Sequence, residues 1–317
     1  MNQATLHSVV IPVFNEREGL TTLTERLTEL AQKLLPDATE FIFVNDGSSD
    51  GSNLRLEEIA LHDSRFKVLH FSRNFGHQIA ITAGIEWATG QTVTVIDADL
   101  QDPPEVIAEL VSKWREGFDV VYGIRRKRDG ETLFKLWTAR LFYRLIRSLT
   151  QFDIPVDTGD FRLMDRKAVN ALQSLPERRR FVRGMVSWIG FKQAGVSYDR
   201  HERKFGQTHY PLGKMIRLAL DGITSFSTAP LQLATWMGVL VALMSMGMGL
   251  WALYIRLFTD QAVPGWTSVI LAVLLIGAVQ LLSLGMIGEY LGRTYEEVKR
   301  RPIYLISTAI GFERDQK

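Results

Sequence analysis

The sequence contains no cysteine, which excludes disulfide bonds, thiolate metal sites and cysteine nucleophiles. It also has little net charge, because 37 Lys and Arg residues stand against 35 Asp and Glu residues, for a formal charge of +2. Nucleic-acid binding through an overall basic field is therefore not indicated. The first residues lack the charged region and apolar core of a secretory signal peptide. These absences suit a protein whose globular part faces the cytosol.

Two glycine-rich phosphate-binding loops are missing as well. No G-x-G-x-x-G follows the first predicted strand, and no G-x-x-x-x-G-K-[ST] occurs anywhere in the chain. If the protein binds a nucleotide, we expect a metal ion and arginines to neutralise its phosphates.

The most informative stretch that is present is V-T-V-I-D-A-D-L-Q-D-P-P-E, residues 93–105. Its β-branched residues predict a buried strand, and its prolines exclude further strand. Asp97, Asp99 and Gln101 follow the strand at alternate positions. Carboxylates at this place are costly unless a cation lies between them, and Mg²⁺ typically binds one or two carboxylates together with substrate phosphates. We therefore predict a Mg²⁺ or Mn²⁺ site here; the alternative is a solvated acidic turn.

Strand and helix signals alternate over the first 125 residues. The predicted strands cover residues 8–13, 41–44, 67–71, 93–96 and 120–122. This alternation predicts an α/β fold with a mostly parallel sheet and helices on both faces. In open sheets of this kind, ligands bind beyond the carboxyl ends of the strands.

Polar and basic side chains follow several of these strands. They are Glu16 after the first strand, Asn45 and Asp46 after the second, and Arg125 after the fifth; Pro12 and Phe14 lie beside Glu16 at the end of the first strand. Taken singly, Asp46 is equally a turn residue or a helix cap. At a strand end, an Asp also accepts hydrogen bonds from a nucleoside ring or ribose. Together with the acidic residues after the fourth strand, these side chains outline one crevice.

Two long uncharged runs, residues 231–255 and 266–288, predict transmembrane helices at about 231–256 and 266–288. A buried hairpin of a soluble protein is the alternative. Basic residues flank the pair on the domain side and the C-terminal side: Lys204, Lys214, Arg217, Arg293, Lys299, Arg300 and Arg301. By the positive-inside rule, both termini and the globular domain are cytoplasmic. This divides the chain into a globular domain at 1–228, two spans at 229–292 and a cytoplasmic tail at 293–317.

Two segments of the predicted domain, at about 133–150 and 212–227, have helical spacing of apolar residues with basic residues beside them. In a chain with membrane spans, such helices are expected at the lipid headgroups, although an ordinary surface helix shows the same pattern. Between them, Asp157 precedes a glycine turn, and Arg200, Arg203 and Lys204 precede Gly206. Arginine binds phosphate oxygens bidentately, so this basic stretch is either a phosphate site or a solvated loop.

Seven motifs together resemble a known family. They are V-I-P-V-F-N-E (10–16), V-N-D-G-S-S-D-G (44–51), D-A-D-L-Q-D-P-P-E (97–105), G-D-F-R-L-M (159–164), R-G-M-V-S-W-I-G-F (183–191), R-K-F-G-Q-T-H-Y (203–210) and D-G-I-T-S-F-S (221–227). The chain resembles the polyisoprenyl-phosphate glycosyltransferases of glycosyltransferase family 2. This group includes dolichol-phosphate mannose synthases and bacterial bactoprenol glucosyltransferases. The resemblance covers nearly the whole chain.

The resemblance implies the nucleotide-sugar-binding GT-A fold and a role for each site residue. The implied donor-binding residues are Pro12, Phe14, Glu16, Asp46, Asp97, Ala98, Arg125, Arg203 and His209. The implied metal ligands are Asp97, Asp99 and Gln101. The acceptor phosphate is assigned to Arg140, Arg200 and Lys204, and catalysis to Asp157, Arg200 and Arg203. Two positions depart from the family pattern, because His209 replaces a common lysine and Asn45 replaces the first acid of D-D-G-S.

The implied activity is inverting transfer of a hexose from a nucleotide sugar to a polyprenyl phosphate, with UDP-glucose and undecaprenyl phosphate as the expected pair. The alternatives are another donor (GDP-mannose, UDP-GlcNAc or a modified sugar) and a catalytically silent nucleotide-sugar receptor. A processive polysaccharide synthase is disfavoured because its Q-x-x-R-W motif is absent. The expected place is the cytoplasmic face of the bacterial inner membrane, in cell-envelope glycosylation. A homo-oligomer and a downstream flippase for the lipid-linked sugar are further expected partners.

Overall fold

The computed structural model describes residues 6–33, 38–126, 158–178, 180–200, 229–258 and 265–312. The chain divides into two compact units, one formed by Met1–Met215 with Arg301–Lys317 and the other by Ile216–Arg300. The predicted amphipathic segments, about 133–150 and 212–227, lie outside the described residues.

The first unit alternates strands and helices. In chain order its elements are β1 (His7–Val13), α1 (Leu20–Lys33), β2 (Thr39–Asn45), α2 (Ser52–His62), β3 (Phe66–Phe71), α3 (His77–Trp87), β4 (Thr92–Val95), α4 (Val106–Arg115), β5 (Val120–Arg125), β6 (Thr158–Asp165), α5 (Arg166–Gln173), α6 (Val182–Trp188), β7 (Gln193–Tyr198) and β8 (Ile306–Ile310).

These strands form one sheet in the order β7-β5-β6-β4-β1-β2-β3-β8. In the described part of the chain, β6 and β8 run antiparallel to their neighbours, and the remaining strands share one direction. The predicted mostly parallel α/β sheet is therefore confirmed.

Apolar side chains cover both faces of the sheet. On one face, Phe66 stacks on Phe41 and Phe43 with ring centroids 4.8 and 5.9 Å apart, and these rings join the apolar residues of α1, α2 and α4 in one core cluster. On the other face, Gly84 of α3 lies against Val10. Successive strand residues point to opposite faces, so the continuous apolar runs in the sequence are explained by burial on both sides.

The strand order reverses between β1 and β4, where a crevice is expected in open α/β sheets. The β1–β4 pairing ends at Val10 and Val95, followed by a 3.0 Å hydrogen bond from Ile96 N to Val10 O. Two residues further on, Pro12 has no N–H with which to extend that ladder. Within the described residues, the chain after β4 therefore makes no further ladder hydrogen bond to β1 at the position where its acidic residues begin.

The antiparallel strand β6 brings a second acidic segment to this point. Arg162 of β6 pairs with Val95, the last residue of β4. Because β6 runs in the opposite direction, its first residues lie beside the chain that leaves β4. Thr158 and Asp160 therefore reach the same edge of the sheet as Asp97, from far away in the sequence.

The C-terminal segment, treated above as a tail at 293–317, contributes a strand to the first unit. Ile306–Ile310 forms β8 and pairs with β3, with Ala309 opposite Leu69. The backbone N–H of Ser72 also donates to the carbonyl of Leu305 at 3.0 Å. A strand of five residues at a half-exposed sheet edge has too short a pattern to be identified from sequence.

The second unit contains two long helices, α7 (Ala229–Phe258) and α8 (Trp266–Lys299). By length and composition, Leu231–Ile255 and Ala272–Lys299 are candidate membrane spans, each with a mean hydropathy of 1.8. Large apolar side chains such as Leu240, Trp251 and Leu281 are exposed. Helix α8 continues past the predicted end at 288, into a charged final portion.

Candidate active site

Asp97 and Asp99 lie immediately beyond β4, as predicted. The backbone turns sharply after them, with Leu100 at φ 59° and the N–H of Gln101 donating to Asp99 Oδ1 at 3.1 Å. The Oδ1 atom of Asp97 is buried and has no hydrogen-bond partner. Burial raises the pKa of Asp97 to about 6; the charge of His77 opposes this shift, and repulsion from Asp102 and other nearby carboxylates adds to it. His77 Nε2 lies 3.4 Å from Asp97 Oδ1, an ion-pair distance without a hydrogen bond, so the carboxylate is less completely paired than a purely structural group would be.

His77, the first residue of α3, lies between two of these acids. Its Nε2 atom is 3.4 Å from Asp97 Oδ1 and 3.4 Å from Asp160 Oδ2. Burial lowers the pKa of His77, but the two carboxylates outweigh that effect and raise it to about 9. Asp160 also accepts from Arg183 Nε and Gln78 Nε2, both at 3.0 Å. This network ties α3, β6 and α6 to the end of β4.

Asp46 closes the loop after β2 onto the start of α3. Its two carboxylate oxygens accept from the backbone N–H groups of Phe75 at 2.6 Å and Gly76 at 2.9 Å. Gly47 follows at φ 69°, and a Cβ there would lie 2.6 Å from the backbone of Arg73 and Asn74, so only glycine allows this approach. Asp46 thus shapes the crevice wall, and its contact with a nucleoside stays a prediction.

The loop after β1 is held to the start of α2. Asn15 adopts φ 56°, and its side chain accepts from Ser49 N at 2.8 Å. Glu16 is half-buried with its N–H donating to Ser52 Oγ at 3.2 Å, whereas the Phe14 side chain is exposed. Pro12 is buried within β1. The implied donor-binding role of these residues is not tested by this geometry.

Asn45, which replaces the first acid of the family's D-D-G-S pattern, bonds to a neighbouring side chain. Its side-chain nitrogen lies 2.9 Å from Nδ1 of His70, at the end of β3. Burial lowers the pKa of His70, which favours a neutral ring that accepts the amide N–H. The side-chain oxygen of Asn45 accepts from the N–H of Ser48 at 3.1 Å. An amide can make both bonds, whereas a carboxylate has no N–H to donate.

The two described arginines of the predicted phosphate sites reach the chain after β4. Arg200 Nη2 donates to Gln101 Oε1 at 2.6 Å, so that amide oxygen, a predicted metal ligand, is engaged by a cation in this structure. Arg125, the last residue of β5, donates from Nε to the hydroxyl of Tyr198 at 3.3 Å. Ala98 is buried between the two acids. The predicted residues Arg140, Asp157, Arg203, Lys204 and His209 lie outside the described residues.

Sequence reasoning assigned no role to several residues that lie at this site: His77, Asp102, Asp160, Arg183 and Tyr198. A signal for His77 was present, since S-R-N-F-G-H-Q follows the third predicted strand as the other polar clusters follow theirs. In the part of the chain that the structure describes, no three His, Asp or Glu side chains form a metal-binding group by themselves. Any metal here would therefore rely on phosphate oxygens as well as on protein carboxylates.

Comparison with known proteins gives a consistent result. The model of the family described as glycosyl transferase family 2 matches residues 8–173. An uncharacterized glycosyltransferase of Bacillus subtilis is 50% identical over 313 residues, 99% of this chain and 97% of the relative. A bactoprenol glucosyl transferase of Shigella phage SfII is 42% identical over 299 residues, 94% of this chain and 96% of the relative.

The fold also matches solved structures. Glucosyl-3-phosphoglycerate synthase from Mycobacterium tuberculosis, crystallised with Mn²⁺, UDP-glucose and phosphoglyceric acid, superposes with a TM-score of 0.50 at 20% sequence identity. The match covers 70% of this chain and 79% of that one. At this identity the likeness supports the GT-A-like fold alone.

Proposed function

The chain belongs to glycosyltransferase family 2, and on this premise we propose that it transfers glucose from UDP-glucose to a polyprenyl phosphate such as undecaprenyl phosphate. The observation that carries the proposal is that Arg125 and Arg200 both reach the segment after β4 that also carries Asp97 and Asp99, at the strand-order reversal. Such a crevice suits a sugar diphosphate and a second phosphate. Similarity to bactoprenol glucosyl transferases over almost the whole chain supports glucose and a lipid carrier.

We propose Asp97 and Asp99 as the protein ligands of a divalent cation. The buried Asp97 Oδ1 has no hydrogen bond, and burial raises the pKa of Asp97 although the His77 ring lies 3.4 Å away, so the incompletely compensated carboxylate suits a site for a cation. When bound, Mg²⁺ or Mn²⁺ would offset diphosphate charge and stabilise the leaving nucleoside diphosphate. Gln101 remains a candidate ligand, provided that its oxygen turns from Arg200 to the metal.

The proposed reaction is an in-line displacement. A lipid phosphate oxygen is already anionic at neutral pH, so it attacks the anomeric carbon with little need for a base. The new bond joins that oxygen to the carbon, and the carbon–oxygen bond to the diphosphate breaks with its electron pair leaving on UDP. The anomeric centre inverts. Arg125 and Arg200 offset the repulsion between the two phosphate groups, and Asp157 orients the acceptor or the sugar.

The proposed location is the cytoplasmic face of the bacterial inner membrane, with the two candidate spans as an anchor. The basic residues that flank the pair of spans support this orientation. A reporter fused after Lys317 is expected to report the cytoplasm, and a tag inserted near Gln261 the opposite side. A C-terminus found outside would contradict the orientation and remove access to cytosolic nucleotide sugars.

The direct test presents purified protein in lipid nanodiscs with undecaprenyl phosphate and, separately, UDP-glucose, GDP-mannose and UDP-GlcNAc. We expect lipid-linked glucose and released UDP with the first donor only. Product from another donor would keep the reaction class and correct the sugar. Donor binding without product from any of them would favour the silent receptor and contradict the proposal.

A further inference from the structure

Asp102, one residue after Gln101, is a completely buried carboxylate at the rim of the crevice, with 0% of its side chain exposed. The hydroxyl of Tyr198 donates to its Oδ1 atom at 2.5 Å. Arg125 Nη2 lies 3.7 Å from Oδ2, and Arg200 Nε lies 3.6 Å from Oδ1. One carboxylate is thus the shared partner of two cations that come from β5 and from the chain after β7.

The contacts of Asp102 are incomplete. Its Oδ2 atom and the Nε atom of Arg200 are both buried without a hydrogen bond in the described structure. An ion pair at 3.6–3.7 Å is longer than a charge-assisted hydrogen bond, which typically measures about 2.7–2.9 Å. The arrangement therefore attracts the two guanidinium groups to one place without saturating them. Two arginines that share one carboxylate would repel each other if that negative charge were absent.

We infer that Asp102, together with Tyr198, is a positioning residue that holds Arg125 and Arg200 around one point of the crevice for binding phosphate oxygens. The hydroxyl of Tyr198 joins the pair, because it donates to Asp102 and accepts from Arg125 at 3.3 Å. Its ring is fixed by an edge contact with Phe161, with centroids 5.5 Å apart. The inference deepens the proposed function and rests on it for the identity of the phosphates.

Gly159 on β6 provides an independent constraint on Arg125. A Cβ at this position would lie 2.5 Å from Arg125 Nη2. Gly159 has no unusual φ, so alanine fits its backbone, and the atom it meets is the far end of a flexible side chain. Gly159→Ala is therefore expected to displace the guanidinium of Arg125 while leaving every charge in the site unchanged.

The experiment uses the full chain in nanodiscs and the variants Asp102→Asn, Tyr198→Phe and Gly159→Ala. Glu40→Gln is the matched control, because Glu40 is also a buried carboxylate paired with a cation but is the second residue of β2, at the opposite end of the sheet.

Two quantities are measured: UDP affinity by calorimetry in the presence of Mn²⁺, and turnover against lipid-phosphate concentration. We expect Asp102→Asn to weaken one of them by roughly 10- to 100-fold, the effect of losing a charge-assisted contact. Tyr198→Phe and Gly159→Ala are expected to weaken the same quantity less, and Glu40→Gln to change neither.

A double-mutant cycle separates positioning from general loss of structure. If Asp102 acts through Arg200 and Arg125, adding Asp102→Asn to Arg200→Ala plus Arg125→Ala will cost almost nothing further. A carboxylate that only supports the fold will instead lower affinity or turnover by the same factor in both backgrounds, and that additivity would overturn the inference. So would a variant Asp102→Asn with unchanged UDP affinity and unchanged acceptor dependence.

The UDP-affinity measurement distinguishes failure of this inference from failure of the proposed function. Wild-type protein that binds UDP but transfers no sugar would contradict the proposed function, while the cycle in UDP affinity still decides the role of Asp102. Wild-type protein that transfers sugar and gives additive cycles would contradict only the role of Asp102. Protein that binds no UDP and transfers no sugar would overturn both.

Discussion

Buried carboxylates at the two ends of the sheet differ in their hydrogen bonding and in the direction of their pKa shifts. At the amino end, Glu40 accepts hydrogen bonds from Ser8 Oγ at 2.6 Å, Lys67 Nζ at 2.6 Å, and both the N–H and the hydroxyl of Thr89 at 2.8 Å. Burial opposes ionisation of Glu40, but these partners outweigh it and lower its pKa. At the carboxyl end, Asp97 has an oxygen without a hydrogen bond and a pKa raised by burial to about 6.

On the proposed function, this difference separates Glu40, a carboxylate that stabilises the fold, from Asp97, which we propose to be held for a metal ion. Buried charges that serve stability are paired and hydrogen-bonded, because an unpaired buried charge is costly. Evolution retains such a cost at sites where function requires it. The comparison therefore predicts opposite phenotypes at the two ends: loss of activity with little loss of stability at Asp97, and the reverse at Glu40.

Metal removal is expected to have the largest effect on turnover. Excess EDTA should reduce turnover to background, because the negative charges of Asp97, Asp99 and the diphosphate would then face one another without a divalent cation between them. Adding Mg²⁺ or Mn²⁺ back should restore it. The measurement is UDP release with and without chelator. Full activity in EDTA would contradict the proposal that Asp97 is a metal ligand.

Asp97→Asn should reduce turnover by about 10²–10³-fold, the usual cost of losing one preorganised electrostatic contact. The amide has nearly the same shape, and burial disfavours the charge that it removes more than His77, 3.4 Å away, favours it. The midpoint of thermal unfolding should therefore stay unchanged or rise. A marked fall in stability without a fall in turnover would show that Asp97 is a structural group like Glu40.

Arg203→Ala extends the comparison to the acceptor side, at a residue outside the described structure. Losing a charge-assisted phosphate contact should weaken use of lipid phosphate by roughly 10- to 100-fold while donor affinity changes little. Arg203→Lys should rescue only in part, because a point charge lacks the planar fork. If calorimetry shows collapsed donor affinity with an unchanged acceptor dependence, Arg203 belongs to the diphosphate site.

Glu40→Gln should have the smallest effect on turnover, at most about twofold, and a clear effect on stability. Replacing one partner of a buried ion pair should cost about 2–4 kcal/mol in the free energy of unfolding. Because the pKa of Glu40 is lowered from 4.5, its contribution is present above that pH and is lost as the pH falls through the folded value. The measurement is the unfolding curve of wild type and variant at neutral and at acidic pH. The two curves should differ clearly at neutral pH and nearly coincide in acid.

Much of this organisation was predictable from residue order. Continuous apolar runs identified the central parallel strands, and the polar residues at their ends predicted that Asp46, Asp97, Asp99 and Arg125 lie toward the same end of the sheet. The method works there because parallel strands bring their carboxyl ends to one edge. By contrast, β8 and the antiparallel direction of β6 were not predicted. A local sequence pattern indicates neither a short edge strand nor the direction in which a strand runs.

The sequence by itself determined the fold class, the candidate spans and the acidic turn after β4, because apolar periodicity and turn chemistry are local properties. Only the tertiary structure decided that His77 bridges Asp97 and Asp160, and that Asp102 is shared by two arginines. These contacts join residues separated by tens of positions in the chain. The antiparallel path of β6 and the packing of β7 beside β5 bring them together, and no local pattern records where a strand will lie in a sheet.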